Sequence, residues 1–224
     1  MNSFKVNDAN RPPQPPFELL TQKNVGEIKV GKGQKTFLLM NMVEPAKFRL
    51  TAEGADLTIL GLMIAEGNQE QALTVEVIHE KPRTKAVIIL KAVVFSKAKV
   101  NIKGSVKINK GAKMAEDFLR EDVMLVGKEA KGEAYPYLEI EENEVIAKHA
   151  ATVGRLNNEQ LFYLMSRGLS LEESSLLLAR GFLTEILERI PSEVGGKIDS
   201  QLTNVFKKRN KNGYMGKYLQ GQSG

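Results

Sequence analysis

The side chains able to do chemistry are few in this sequence. It contains two histidines, His79 and His149, and no cysteine. Without thiolates the chain can form no disulfide, carry out no thiol catalysis, and build no zinc or iron–sulfur site from its own sulfur. A histidine-centred triad has few places to form, no serine sits in a Gly-x-Ser-x-Gly elbow, and Gly31-Lys-Gly33 lacks the spacing and the Lys-Ser/Thr ending of a phosphate loop. One acidic group stands out: Glu139, Glu141, Glu142 and Glu144 lie just before His149. Carboxylates at this spacing offer hard oxygen ligands to a metal, or form a solvated turn. A neutral imidazole such as His149 is either a metal ligand or a structural group bonded to backbone.

The elements that must position these groups fall into two kinds. From about Val25 to Lys148 the pattern is β, with alternating pieces such as Val75-Glu-Val77, Val100-Asn-Ile102, Val106-Lys-Ile108 and Leu138-Glu-Ile140. Period-two alternation buries one face of each strand. Gly54, Gly67-Asn68, Pro82, Gly104, Asn109-Lys-Gly111, Gly127, Gly132 and Glu142-Asn143 read as the turns between them. Many short strands without intervening helices point to a sandwich, a barrel or a solenoid. A solenoid rung of about 20–25 residues would give five or six rungs; periodicity alone leaves these architectures open.

Helices begin near Asn157. Asn157 caps the first, with Gln160 at the capping-box position, Leu161, Leu164 and Met165 as its apolar stripe, and Gly168 as its end. Ser170 and Glu173 form a second capping box before Leu177, Leu178, Phe182, Ile186 and Ile190, and Pro191 stops that helix. A third amphipathic stretch carries Ile198, Leu202, Val205 and Phe206. The expected organisation is a proline-rich arm over 1–24, a β body over 25–152, a helical module over 153–208 and a flexible basic tail over 209–224.

Hydrophobic residues make up 42% of the 224 and charged residues 26%, as in a globular protein. No apolar run approaches the ~20 residues that span a bilayer and the N-terminus has no signal-peptide pattern, so a cytoplasmic location and no membrane partner are expected. The net charge of +5 is confined to residues 197–224, where six Lys/Arg meet one Asp; the rest holds 26 of each sign. That location argues against a nucleic-acid-binding face on the body.

The motifs themselves carry a resemblance. Leu138-Glu-Ile140, His149, Ala151-Thr152, Asn158-Glu-Gln-Leu-Phe-Tyr-Leu164 and Ser166-Arg-Gly168 resemble the C-terminal core of the SufB/SufD family of iron–sulfur cluster assembly scaffolds. His79-Glu-Lys-Pro-Arg-Thr84, Gly104-Ser-Val-Lys-Ile108 and Lys110-Gly-Ala112 extend the similarity, which runs from about residue 75 to 190, and Val153-Gly-Arg155 is nearer to SufD than to SufB. The resemblance implies a mainly β fold, a flattened right-handed parallel β-helix followed by a small C-terminal helical module. It implies a non-enzymatic scaffold that pairs with itself or with a SufB-like subunit and docks a SufC-like ABC ATPase through Leu161, Phe162, Tyr163, Arg167, Leu178, Phe182 and Ile186. His149 matches the family histidine that faces a partner's cysteine across the dimer interface, where a cluster forms. The family often has cysteine two residues before this histidine, and here that position is Ala147. No cofactor is therefore expected on this chain alone, and a transient iron–sulfur cluster at a dimer interface would need the partner's thiolates.

Overall fold

The structure, a computed structural model, describes residues 16–20, 26–42 and 44–211. Most of the proline-rich arm and residues 212–224 of the basic tail lie outside the described residues. Two compact units are found, Pro16–Leu156 and the helical unit that starts at Asn157.

The first unit is a parallel β-solenoid of about four turns. Its strands are β1 (Phe17–Leu20), β2 (Glu27–Val30), β3 (Gly33–Met40), β4 (Ala46–Leu50), β5 (Ala55–Ala65), β6 (Glu70–His79), β7 (Lys85–Val94), β8 (Lys99–Ile108), β9 (Ala115–Leu125), β10 (Lys131–Ala134), β11 (Tyr137–Ile140) and β12 (Val145–Arg155). One sheet has the order β1-β3-β5-β7-β9-β12 and the other β10-β8-β6-β4-β2, with β11 continuing beside β8. The chain thus alternates between two facing sheets, which is the flattened solenoid the resemblance implies. Phe17–Leu20, expected within the arm, is instead a strand paired to Thr36–Leu39.

The rungs are fewer than expected and lengthen along the chain: Phe17 to Thr36 and Thr36 to Thr58 are steps of 19 and 22 residues, as expected, and the later ones are longer. The register advances from Thr58 to Val87, a step of 29 residues, and from Val87 to Phe118, a step of 31. Strands β5 to β9 are 10 or 11 residues long, so one circuit consumes about half as much chain again as a rung of ordinary strands.

Inward side chains stack into ladders. Phe37, Ile59, Ile88 and Leu119 are in register across one sheet, and Phe48, Val77 and Val106 across the other. All seven are buried. The sheets approach so closely that two expected turn glycines lie inside strands. A Cβ on Gly104 would meet Leu119 Cδ1 at 2.6 Å, and one on Gly132 would meet Val123 Cγ1 at 2.5 Å. These glycines let the facing side chains reach the opposite backbone. The corners entering the first sheet are stitched by backbone bonds from left-handed residues: Arg83 N–H to Lys113 O at 2.8 Å and Met114 N–H to Glu144 O at 2.6 Å.

The helical unit comprises α1 (Asn158–Ser166), α2 (Leu171–Leu187) and α3 (Ser192–Lys211). Both caps form as the sequence indicates. Asn157 accepts from Gln160 N–H at 3.0 Å, and Ser170 and Glu173 exchange both capping-box bonds. Gly168 takes φ +93° after α1, where a Cβ would be strained. Helix α2 packs against α3, where Arg180 grips both Asp199 oxygens at 2.5 and 2.8 Å.

Candidate functional site

Among the described residues strand β12 is the last of its sheet and pairs with β9 alone, over its full length. An ordinary terminal strand is short, charged or covered. This one has 11 residues, and eight of them are exposed, from both faces. Ile146 is 58% and Val153 43% exposed. At its far end Arg155 anchors the strand, donating to Gly127 O at 2.7 Å and Lys128 O at 3.0 Å.

His149 is exposed near the middle of β12 and in register with Leu119. It therefore extends the apolar ladder Phe37–Ile59–Ile88–Leu119 by one place, on the terminal strand of the sheet. An imidazole there is accessible to a metal ion or to a partner chain.

The acidic group before His149 is spent on structure. Glu139 and Glu141 both pair with Lys107, at 2.6 and 2.9 Å, and push its ammonium pKa upward. Glu142 accepts from Gly111 N–H at 3.0 Å and from its neighbour Asn143 N–H at 2.9 Å, which holds its carboxyl below the usual range. Glu144 pairs with Lys113 at 3.7 Å. These carboxylates staple the last turns together and form no ligand set. Among the described residues no three His, Cys, Asp or Glu side chains are grouped to hold a metal ion.

Sequence reasoning missed two buried polar features on β9. Glu121 is fully buried and accepts a hydrogen bond from Gly104 N–H. Strand β10 pairs with β8 as far as Ile102 and β11 resumes at Ser105, leaving a gap beside Lys103 and Gly104. Pro136, which has no N–H, lies in that gap, and the Glu121 carboxyl fills the seam. Burial pushes Glu121 up to about 7, and its Oε2 has no protein partner. The second feature joins His79, the other histidine, to Thr84 and Asp117 in the solenoid interior.

The seven residues expected at a docking surface divide by burial. Leu161 is 4% and Ile186 0% exposed, so both are interior rather than surface. Leu178 and Phe182 are half-buried. Phe162, Tyr163 and Arg167 are exposed together on α1 and just beyond it. Phe162 is 75% exposed, and the Arg167 guanidinium lies 5.2 Å from the centre of the Tyr163 ring. The inward face of α2 runs through Ala179, Leu183 and Ile186 instead of Leu178 and Phe182.

The fold is that of a parallel β-solenoid protein, with its exposed histidine on the terminal strand of one sheet. The family model described as the SUF system FeS cluster assembly, SufBD core domain, matches residues 38–182, and the chain belongs to that family. It is 33% identical over 148 residues to the iron–sulfur cluster assembly protein SufD of Bacillus subtilis, covering 66% of this chain and 33% of that one. It is 34% identical over 144 residues to an iron–sulfur cluster assembly SufBD family protein of Mycobacterium tuberculosis, covering 64% of this chain and 17% of that one. A Staphylococcus aureus SufBD family protein is 32% identical over 144 residues, with 64% and 31% covered. The match spans a third or less of each of these relatives. No helix among the described residues is long and apolar enough to cross a membrane.

Proposed function

We propose that this chain is a SufD-like, non-enzymatic scaffold subunit of iron–sulfur cluster assembly in the cytoplasm. It pairs through β12 with a second copy of itself or with a SufB-like subunit, and docks a SufC-like ABC ATPase through its helical unit. The observation that carries this reading is the state of β12: a long strand, exposed on both faces and, among the described residues, unpaired along one edge, with the one accessible histidine near its middle. An edge of that kind is completed by adding a strand from another chain.

In such a pair His149 lies at the seam between subunits. The cluster is cargo here. The described residues of this chain offer one exposed imidazole and no thiolate, which fits a shared site and not a self-contained one. Imidazole replaces thiolate at iron in known cluster types, so His149 would supply one ligand while a partner supplies sulfur.

Phe162, Tyr163 and Arg167 present an aromatic face with a cation on it, a composition typical of interface anchors. Phe162→Ala with Tyr163→Ala is expected to abolish co-purification of the ATPase at unchanged thermal stability. Undiminished binding would overturn the docking assignment.

A second reading, a β-solenoid interaction protein without a metal role, is favoured by the missing cysteine. Anaerobic reconstitution with iron and sulfide in the presence of a SufB-like subunit separates the two. A cluster that forms with the wild type and is lost or spectrally altered in His149→Ala supports the ligand role, and an unchanged cluster excludes it.

A further inference from the structure

His79, Thr84 and Asp117 are all fully or nearly fully buried, and their hydrogen bonds fix where protons sit. The Thr84 hydroxyl donates to Lys81 O at 3.0 Å. It therefore accepts at His79 Nδ1, 2.9 Å away, and the ring carries a hydrogen on Nδ1. His79 Nε2 faces Asp117 Oδ2 at 3.2 Å. A hydrogen bond between these two atoms needs one proton, carried by either the nitrogen or the oxygen. With no proton, a lone pair faces a buried carboxylate. With two, a net positive charge is buried. Both arrangements are costly at a buried site.

We propose that His79, Thr84 and Asp117 form a one-proton clasp that fastens adjacent turns of the solenoid and loosens when that proton is removed or a second is added. The clasp ties the end of β6, in one sheet, to the β6–β7 corner and to β9 in the other sheet. Its in-register neighbours among the described residues are uncharged. His79 lies in register between Leu50 and Ile108, and Asp117 between Ala86 and Ala147. The nearest titratable group on the same inward row of β9 is Glu121, beyond Leu119. Glu80, next to His79, is engaged by Arg49, and Lys85 pairs with Glu116 at 3.0 Å; Lys85 and Glu116 are largely exposed. Burial pushes the Asp117 carboxyl up, consistent with a shared proton resting as a neutral pair.

The linkage has a definite sign. The unfolded chain holds two protons on this pair below a carboxyl pKa of about 3.9, one up to an imidazole pKa of about 6.5, and none above. The proposed clasp shares a single proton between Nε2 and Oδ2. Its contribution is therefore level between about pH 4 and 6.5 and declines on either side.

The test compares folding equilibrium constants of the full chain, by urea unfolding from pH 4.5 to 6.5, with those of Asp117→Asn and His79→Gln. All other titrating groups are common and cancel in the ratio. The amide in Asp117→Asn still donates to Nε2 but gives a charged ring no counter-ion, so the folded variant holds no proton there. The ratio of wild type to Asp117→Asn is expected to fall by up to tenfold per pH unit as pH rises. In His79→Gln the buried carboxyl stays protonated in the fold and ionises when unfolded, so that ratio is expected to rise by up to tenfold per unit. Opposite slopes confirm the clasp. Flat ratios, or slopes of the same sign, overturn it; if one variant does not fold, the slope of the other decides.

Discussion

Glu121→Gln should stabilise the solenoid in a strongly pH-dependent way. The wild-type carboxyl is buried with one oxygen bonded to Gly104 N–H and the other without a hydrogen-bond partner among the described residues. Burial raises it from 4.5 to about 7. A folded pKa above the unfolded one gives stability that is full below about pH 4.5 and lost as pH rises through 7. At 1.36 kcal/mol per unit the loss amounts to about 3 kcal/mol. The amide of Gln keeps a carbonyl to accept from Gly104 and has no charge to bury. Urea unfolding at pH 4.5 and pH 8 measures the effect. The variant should match the wild type within about 1 kcal/mol at pH 4.5 and exceed it by about 3 kcal/mol at pH 8, a midpoint shift on the order of 1 M. An equal difference at both pH values, or a variant weaker at pH 8, would refute the argument that an ionised carboxylate is forced into this seam.

Gly132→Ala places a Cβ 2.5 Å from Val123 Cγ1 and should cost about 1–3 kcal/mol in thermal unfolding, whereas alanine at Gly181, with nothing within 4 Å, should cost nothing and gain helix propensity. Ser170→Ala removes the α2 capping box and should lower the stability of the helical unit by about 1 kcal/mol, read by loss of helical circular dichroism on heating.

What was legible depended on the range of the interaction. Helix caps are local, so Asn157, Ser170 with Glu173, and Gly168 could be read directly. Strand alternation was equally local, but rung length was not. Gly104 and Gly132 break a propensity pattern in the same way whether the chain turns or a facing side chain needs room, and only the opposite sheet, through Leu119 and Val123, decides. Glu121 follows the inward parity of Leu119 and Val123, yet its partner is the Gly104 N–H, 17 residues back and on the facing sheet. The acidic group from Glu139 to Glu144 looked like a possible ligand set because its partners Lys107, Gly111 and Lys113 belong to the preceding turn. On α1, Phe162 resembles a core aromatic by type and is the most exposed large apolar side chain described. His149 was singled out by its motif, and the register then placed it on the open strand.

The proposed scaffold role rests on β12 as a pairing edge. Ile146→Lys with Val153→Lys changes two side chains already exposed in the single chain, so the fold should hold. Sedimentation velocity on the full chain, alone and mixed with a SufB-like subunit, should show a dimer for the wild type and a folded monomer for the double variant. A dimer that survives both lysines, or a wild type that remains monomeric under both conditions, would contradict the central claim.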